Sequence, residues 1–338
     1  MTAAASKNIM VDTAPGRCCL TIRDVAVILP TLNAAKNFET LLPALAIQGI
    51  SPSQVLVVDS SSGDNTVAIA SKFGARVEVI ARKDFNHGGT RRLAAELCRN
   101  VEILVYITQD AVPDGPGAIT AILAAFQNSE VGMAYGRQLP RAGAGPIERH
   151  ARLHNYPPAS SVRSFADRAR FGIKNVFCSD SFSAYRRSAL ESVGSFPHDA
   201  YFAEDQIVAG QMLIAGYKLA YVSEACVFHS HGYRLSEEFK RYFDVGVFHA
   251  RNEWLLNTFG NSEAKGFEFA SSELQYLWHE APWCIPSSLL RTMIKYAGYR
   301  VGKLEAGLST RWKVRLSMQP FYWRQMGEGK GQVFETRT

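Results

Sequence analysis

Apolar runs of strand length alternate with stretches of helical periodicity through the first third of the chain. The runs cover residues 25–30, 54–59, 76–80 and 103–107. The helical stretches between them end near Ala46, at Gly74 and near Cys98, with Gly74 standing where a helix C-cap is expected. Strands alternating with helices predict right-handed βαβ units and a parallel sheet. The run from Ile103 to Ile107 has no polar interruption, so it predicts a strand buried on both faces that delivers Asp110 to its carboxyl end. Ligands of open α/β sheets bind beyond those ends, which makes Asp110 a candidate for meeting a metal or a polar substrate. Capping the helix expected over 118–126 is the competing assignment.

Past Met133 the pattern loosens. The Gly, Pro and Arg-rich connection 141–158 predicts a mobile loop able to cover a substrate. Residues 177–190 predict a strand feeding a short helix, stopped at 194–197. Residues 202–216 predict an amphipathic helix with Glu204 and Asp205 at its start, for which a pair of acids complementing the helix dipole is the plain reading. A last strand over 217–222 leads to His229 and His231. From 237 to 255, Phe239, Tyr242, Phe243, Val247 and Trp254 recur at helical spacing and predict a helix packed on the domain or on a second subunit.

Composition sharpens this picture. The 338 residues, 47% hydrophobic and 20% charged, suit a soluble globular protein, and no apolar run approaches the roughly 18 residues of a membrane-spanning helix. Residues 1–22 lack the apolar core of a signal peptide, hold Asp12 and read as a disordered leader. Six cysteines without CxxC spacing argue against zinc or a disulfide framework and for a reducing cytoplasm. The net charge of +6 is uneven: residues 287–338 carry ten Lys or Arg against three acids, leaving the rest near −1. Such a tail seeks a polyanion. With Trp283, Tyr296, Tyr299, Trp312, Tyr322 and Trp323 among its cations, it reads as amphipathic helices able to lie in a membrane interface.

Several strand ends carry groups suited to a nucleotide. Asp59 can accept from a base or ribose donor or can cap a helix, and the 60–66 loop offers hydroxyls and amides at a helix start. In His87-Gly88-Gly89, paired glycines let a backbone come close to a phosphate, while His87, Arg91 and Arg92 supply donors and positive charge. No GxGxxG or GxxxxGK[ST] motif follows any strand.

The ordered set Leu29-Pro30-Thr31-Leu32-Asn33, Val57-Val58-Asp59, Thr108-Gln109-Asp110-Ala111, Glu204-Asp205 and a following His resembles an inverting family 2 glycosyltransferase across residues 24–232. The His87 to Arg92 stretch, Thr108 to Ala111 and the tail Leu316 to Trp323 are similar, more narrowly, to bacterial rhamnosyltransferases that use dTDP-L-rhamnose. The resemblance implies a GT-A, Rossmann-like nucleotide-sugar domain with a mainly parallel sheet over 23–236, then a helical, basic region over 237–338 for membrane docking or a homodimer. It implies a saccharide acceptor, lipid-linked, in O-antigen-type synthesis at the inner face of the cell membrane, and no nucleic acid. Asp205 would be the base, with Glu204 shaping the acceptor pocket. Pro30, Thr31, Asn33, Asp59, His87, Gly88, Gly89, Arg91, Gln109 and Asp110 would surround the donor, and Asp180 and Tyr185 would face the acceptor. A structural role for Tyr185 stands equally open, and His231 reads as a surface or packing histidine.

Two positions depart from the family pattern. Thr108 replaces the first carboxylate of Asp-x-Asp, so Mg²⁺ or Mn²⁺ would rest on Asp110, the donor diphosphate and His229. Ser60 replaces a second Asp after Asp59. Two other classes compete: a sugar-phosphate nucleotidyltransferase, whose Gly-rich loop after the first strand is missing here, and a nucleic-acid binder, which leaves the strand-end acids unexplained.

Overall fold

A computed structural model describes residues 20–260 and 263–327. Residues 1–19 of the expected leader, and Lys330 and Arg337 of the tail, lie outside the described residues. Residues 20–22, expected as the end of the leader, belong to the folded domain. Leu20 and Ile22 pack against the core, and a capping box between Thr21 and Asp24 closes the short turn Ile22–Asp24.

The elements β1 (Val25–Thr31), α1 (Ala35–Ala46), β2 (Val55–Asp59), α2 (Thr66–Phe73), β3 (Arg76–Val79), α3 (His87–Leu97) and β4 (Ile103–Ile107) follow the alternation read from the sequence. Gly74 takes the left-handed conformation after α2, as a C-cap glycine does (φ 92°). There follow β5 (Val112–Pro113), α4 (Ala118–Ala124), β6 (Val131–Leu139), α5 (Pro146–Asn155), β7 (Ser161–Arg163), α6 (Arg168–Phe171), β8 (Phe182–Arg186), α7 (Arg187–Ser192), α8 (Glu204–Ile214) and β9 (Lys218–Phe228). The stretch expected as a mobile covering loop is thus largely helical. Pro146 at the first helical position and Glu148 in the first turn start α5, and the Gly-rich composition around them hides that signal.

The strands form one mixed sheet in the order β3-β2-β1-β4-β8-β6-β9-β5, with β7 beside β9. Among the described strands, β1, β2, β3, β4, β6 and β9 run one way and β5, β7 and β8 the other, so the sheet is mixed and mainly parallel, as expected. Every residue of β4 is buried, as the uninterrupted apolar run predicts. Alternate residues of β1 feed two cores: Val25, Val27 and Leu29 face the side of α1 and α4, while Ala26 and Ile28 face the side of α3 and α8. Each large aliphatic chain so buried stabilises the fold by about 1.5–3 kcal/mol.

Strand direction builds the site. The carboxyl ends of β1, β2, β4, β6 and β9 meet at one edge, and β8, running against β4 and β6, places the turn before it at that same edge. Thr108 N–H donates to the Ser181 carbonyl at 3.2 Å and so joins that turn to the end of β4.

The remaining helices are α9 (Leu235–Arg251), α10 (Glu253–Phe259), α11 (Glu263–Glu280), α12 (Ile285–Lys303), α13 (Thr310–Leu316) and α14 (Pro320–Gly327). The apolar stripe expected over 237–255 packs on the domain as anticipated, with Phe243 and Val247 buried and Trp254 partly buried. Between α9 and α12 the helices touch at glycines: a Cβ on Gly246 would strike the Tyr299 carbonyl, and one on Gly302 the Phe243 carbonyl. Helix α14 then returns toward the sheet-bearing part of the chain, where Trp323 joins Tyr201, and Phe243 and Val247 of α9, in a third apolar cluster. No helix among the described residues is long and apolar enough to cross a membrane.

Candidate active site

The loops after β1, β2 and β4 are knitted together by the side chains expected to hold the donor. Gln109 exchanges hydrogen bonds with Leu32, accepting from its N–H at 2.9 Å and donating to its carbonyl at 3.2 Å. Asn33 Oδ1 accepts from Gly63 N–H at 2.9 Å. Asp59 is fully buried and accepts from the Thr31 hydroxyl (3.2 Å), the Ser62 hydroxyl (2.5 Å) and Ser62 N–H (2.8 Å). These bonds make Asp59 an anchor for the 60–62 turn, a role apart from the two read from the sequence, and it caps no helix among the described residues. Pro30 is partly buried and Asn33 exposed at the same edge.

The glycine pair is used differently from the expectation. A Cβ on Gly88 would collide with the Pro197 carbonyl and one on Gly89 would lie 2.9 Å from the His198 carbonyl, so the close approach is to the 197–200 segment, not to a phosphate. Gly88 N–H donates to Ala200 O at 3.0 Å and Gly89 N–H to the Asn86 side chain at 2.6 Å. Asn86 thereby caps α3, whose first turn takes in the whole motif. Arg92 holds the same segment through the carbonyls of Gly194 (2.8 Å) and Phe196 (3.1 Å). His87 faces Arg91 through Nδ1 at 3.3 Å and Gln319 of the C-terminal region through Nε2 at 3.4 Å. Burial, then the charges of Arg91 and Arg241, push His87 down to about 3, so the imidazole is neutral.

Arg91, expected to face a phosphate, is buried and forms ion pairs with Asp180 (2.8 Å) and Glu204 (2.8 Å). Asp180 also accepts from the hydroxyls of Ser183 (2.6 Å) and Tyr185 (2.5 Å). Tyr185 is fully buried and packs edge-on against Tyr106 and Phe196, so neither it nor Asp180 presents itself to an acceptor. Glu204 is buried as well, whereas Asp205 keeps partial exposure. The left-handed backbone of Ala203 (φ 54°) precedes the pair and marks local strain at this helix start. Asp205 accepts from two backbone amides, Asp180 N–H at 3.2 Å and Gln206 N–H at 2.8 Å. Burial first, then the charges of Asp180 and Glu204, hold the Asp205 carboxyl well above the usual carboxylate range.

A second group lies at the ends of β4 and β9. Oδ2 of Asp110 is 3.9 Å from His229 Nδ1 and 3.4 Å from His231 Nε2, and the three side chains offer ligand atoms within 4.8 Å of one another. His229 Nε2 is 3.1 Å from the Ser181 hydroxyl, while its buried Nδ1 has no hydrogen-bond partner. Burial pushes His229 down to about 3 against the pull of Asp110, which leaves a neutral imidazole with a lone pair to offer. This donor set fits a divalent cation. His231, read from the sequence as a surface or packing residue, belongs to the group. The available signal was its spacing, since residues i and i+2 of an extended segment point the same way. Arg141 also reaches this group, donating to the Asp110 carbonyl and lying 3.8 Å from Oδ2.

This edge brings together the strand-end loops, an adjacent pair of acids and a group of side chains fit for a cation, an arrangement that matches the GT-A glycosyltransferase fold of the structures it resembles. Solved structures share the fold. A mannosyltransferase from Pyrobaculum calidifontis, PcManGT, in complex with GDP-Man and Mn²⁺ superposes with a TM-score of 0.53 at 17% identity, over 93% of this chain and 88% of that one. TarS 1–349 of S. aureus gives 0.51 at 17% identity, over 90% and 87%. The family model "Glycosyl transferase family 2" matches residues 26–194. Two relatives are 42% identical over 89% of this chain and 96% of their own: "O-antigen chain rhamnosyltransferase RfbN" of Salmonella typhimurium and "O-antigen chain rhamnosyltransferase WbaN" of Salmonella anatum. The chain belongs to glycosyl transferase family 2.

Proposed function

We propose that this enzyme moves L-rhamnose, with inversion, from dTDP-L-rhamnose to a hydroxyl of a lipid-linked saccharide in the synthesis of an O-antigen-type surface polysaccharide. One observation carries the reading: the 42% identity, across nearly the whole chain, to two proteins named O-antigen chain rhamnosyltransferases. Inverting transfer is a single displacement, so the acceptor hydroxyl needs a base on one side of the sugar and the departing diphosphate needs positive charge on the other. Asp205 takes the first role, because of the two adjacent acids it alone retains exposure. Its carboxylate is oriented by the amides of Asp180 and Gln206. Asp110, His229 and His231 would hold a divalent ion, which when bound supplies charge to neutralise the diphosphate. Two imidazoles fit Mn²⁺ better than Mg²⁺, which demands oxygen ligands. Arg141 adds a fixed cation beside them.

A lipid-linked acceptor needs an enzyme at the membrane surface. Trp278, Trp283, Leu289, Leu290, Met293 and Tyr296 on α11, α12 and the turn between them are exposed, as are Lys303, Arg311 and Arg315 of the same C-terminal region. This face supports docking to anionic lipid. Tyr299 and Trp323 do not contribute to it, since both are buried. A screen of nucleotide sugars by thermal shift tests the donor: dTDP-L-rhamnose should raise the melting temperature most, and a larger shift with UDP-glucose would overturn the assignment.

A further inference from the structure

Three carboxylates and one guanidinium meet at the start of α8. Arg91, on α3, divides its contacts between Asp180 and Glu204, at 2.8 Å each. Asp205 has no ion pair of its own and rests on backbone amides. The other titratable groups acting at this point are Tyr185 on β8, Tyr106 on β4, Cys178 in the turn before β8 and Tyr156 after α5, all pushed up by burial, and His87 on α3, pushed down by burial; all are uncharged at neutral pH. With the three acids ionised, one guanidinium leaves a surplus of negative charge in a buried place. Like charges this close disfavour one another's ionised forms.

We propose that Glu204 and Asp180 are positioning residues for proton transfer: they occupy Arg91 between them, and their unbalanced charge strengthens as a base Asp205, the one residue of the three that is only partly buried. The inference rests on the reading of Asp205 as the base. In the transfer itself the acceptor O–H bond breaks and its proton goes to Asp205. The oxygen bonds to the anomeric carbon as the bond from that carbon to the diphosphate breaks, and dTDP leaves with the electron pair. Asp180 is suited to its part because Arg91, Ser183 and Tyr185 all donate to it, which fixes it as an acceptor. Glu204, buried beside it and held by Arg91, cannot shape an acceptor pocket by contact, which is the role the sequence suggested. The raised carboxyl of Asp205, with Asp180 and Glu204 among its causes after burial, agrees with this charge count.

The test uses the full chain and water as the nucleophile, following dTDP release from dTDP-L-rhamnose against pH. UDP-glucose replaces it should that prove to be the donor. In Glu204→Gln the amide still accepts from Arg91 but the charge is gone, so the acid limb of kcat should move down by about one pH unit or more, and the plateau should fall with the weaker base. Asp180→Asn should shift the limb the same way, and it lies on a different segment should one variant fail to fold. Asp205→Asn, run alongside, should remove the activity. If Asp205→Asn is inactive while the limb stays in place in the other two, the base reading stands and this inference fails. If Asp205→Asn turns over normally, both fail.

Discussion

Asp180 donates its backbone N–H to Oδ2 of Asp205 at 3.2 Å. The next residue, Ser181, places its hydroxyl 3.1 Å from Nε2 of His229. One short turn therefore touches both the carboxylate assigned to the acceptor and the imidazole assigned to the leaving group. The turn reaches this position because β8 runs against its neighbours, so that its start lies where β4 and β9 end. In the proposed reading, the base and the group that neutralises the leaving diphosphate are tied to each other through this one turn, by the Asp180 backbone N–H on one side and the Ser181 hydroxyl on the other.

Replacement of Asp205 by Asn should lower turnover by several orders of magnitude while leaving donor affinity nearly unchanged, because the amide can still accept from one of the two backbone N–H groups but cannot take a proton. Steady-state kinetics together with dTDP binding by calorimetry separate the two effects. Turnover near that of the unaltered enzyme would remove Asp205 from the role.

The sequence revealed the strands β1, β2 and β4, because a strand buried on both faces must be apolar at every position. The direction of β8 was hidden, since a hydrophobic run reads the same both ways. Gly88 and Gly89 signalled close approach correctly, but nothing in a glycine says whether a phosphate or the 197–200 backbone is what approaches. Arg91 reads as a phosphate contact because it supplies positive charge beside the glycine pair, and its actual partners Asp180 and Glu204 are remote in the chain. Asp205 and Asp110 were legible as acids at element ends. The separation of Asp205 from Glu204 by exposure required the fold.

Mn²⁺ binding should depend on the Asp110 group. Asp110→Ala and His231→Ala should each weaken Mn²⁺ affinity in the presence of dTDP by more than about tenfold, read from the free-ion EPR signal. Affinity unchanged in both variants would place any metal elsewhere. Excess EDTA should abolish transfer, and full activity in EDTA would mean that Arg141 and other cations suffice.

The contact between α9 and α12 leaves no room at Gly302, where a Cβ meets the Phe243 carbonyl. Gly302→Val should therefore destabilise the protein by about 1–3 kcal/mol through overpacking, visible as a lower melting temperature. Unchanged stability would show that the two helices separate at little cost.

Vesicle binding should reside in the exposed face of α11 and α12, not in the whole basic tail. Trp283→Asp with Met293→Asp should reduce flotation with anionic vesicles, and raised salt should weaken the remainder, each cation near the surface contributing about 1 kcal/mol. Flotation equal to that of the unaltered protein would refute the assignment. A loss of dimer in the double variant would reassign the face to a second copy of the chain.

The central claim is the donor. A 6-deoxyhexose carries a methyl where most hexoses carry a hydroxymethyl, and an apolar wall rejects an added hydroxyl only about a hundredfold, so weak use of related sugars is compatible with the assignment. The direct measurement is the rate of nucleoside diphosphate release from dTDP-L-rhamnose, UDP-glucose and UDP-N-acetylglucosamine, side by side on the same acceptor. Release should be fastest from dTDP-L-rhamnose; a higher rate with either UDP-sugar would contradict the assignment of the donor.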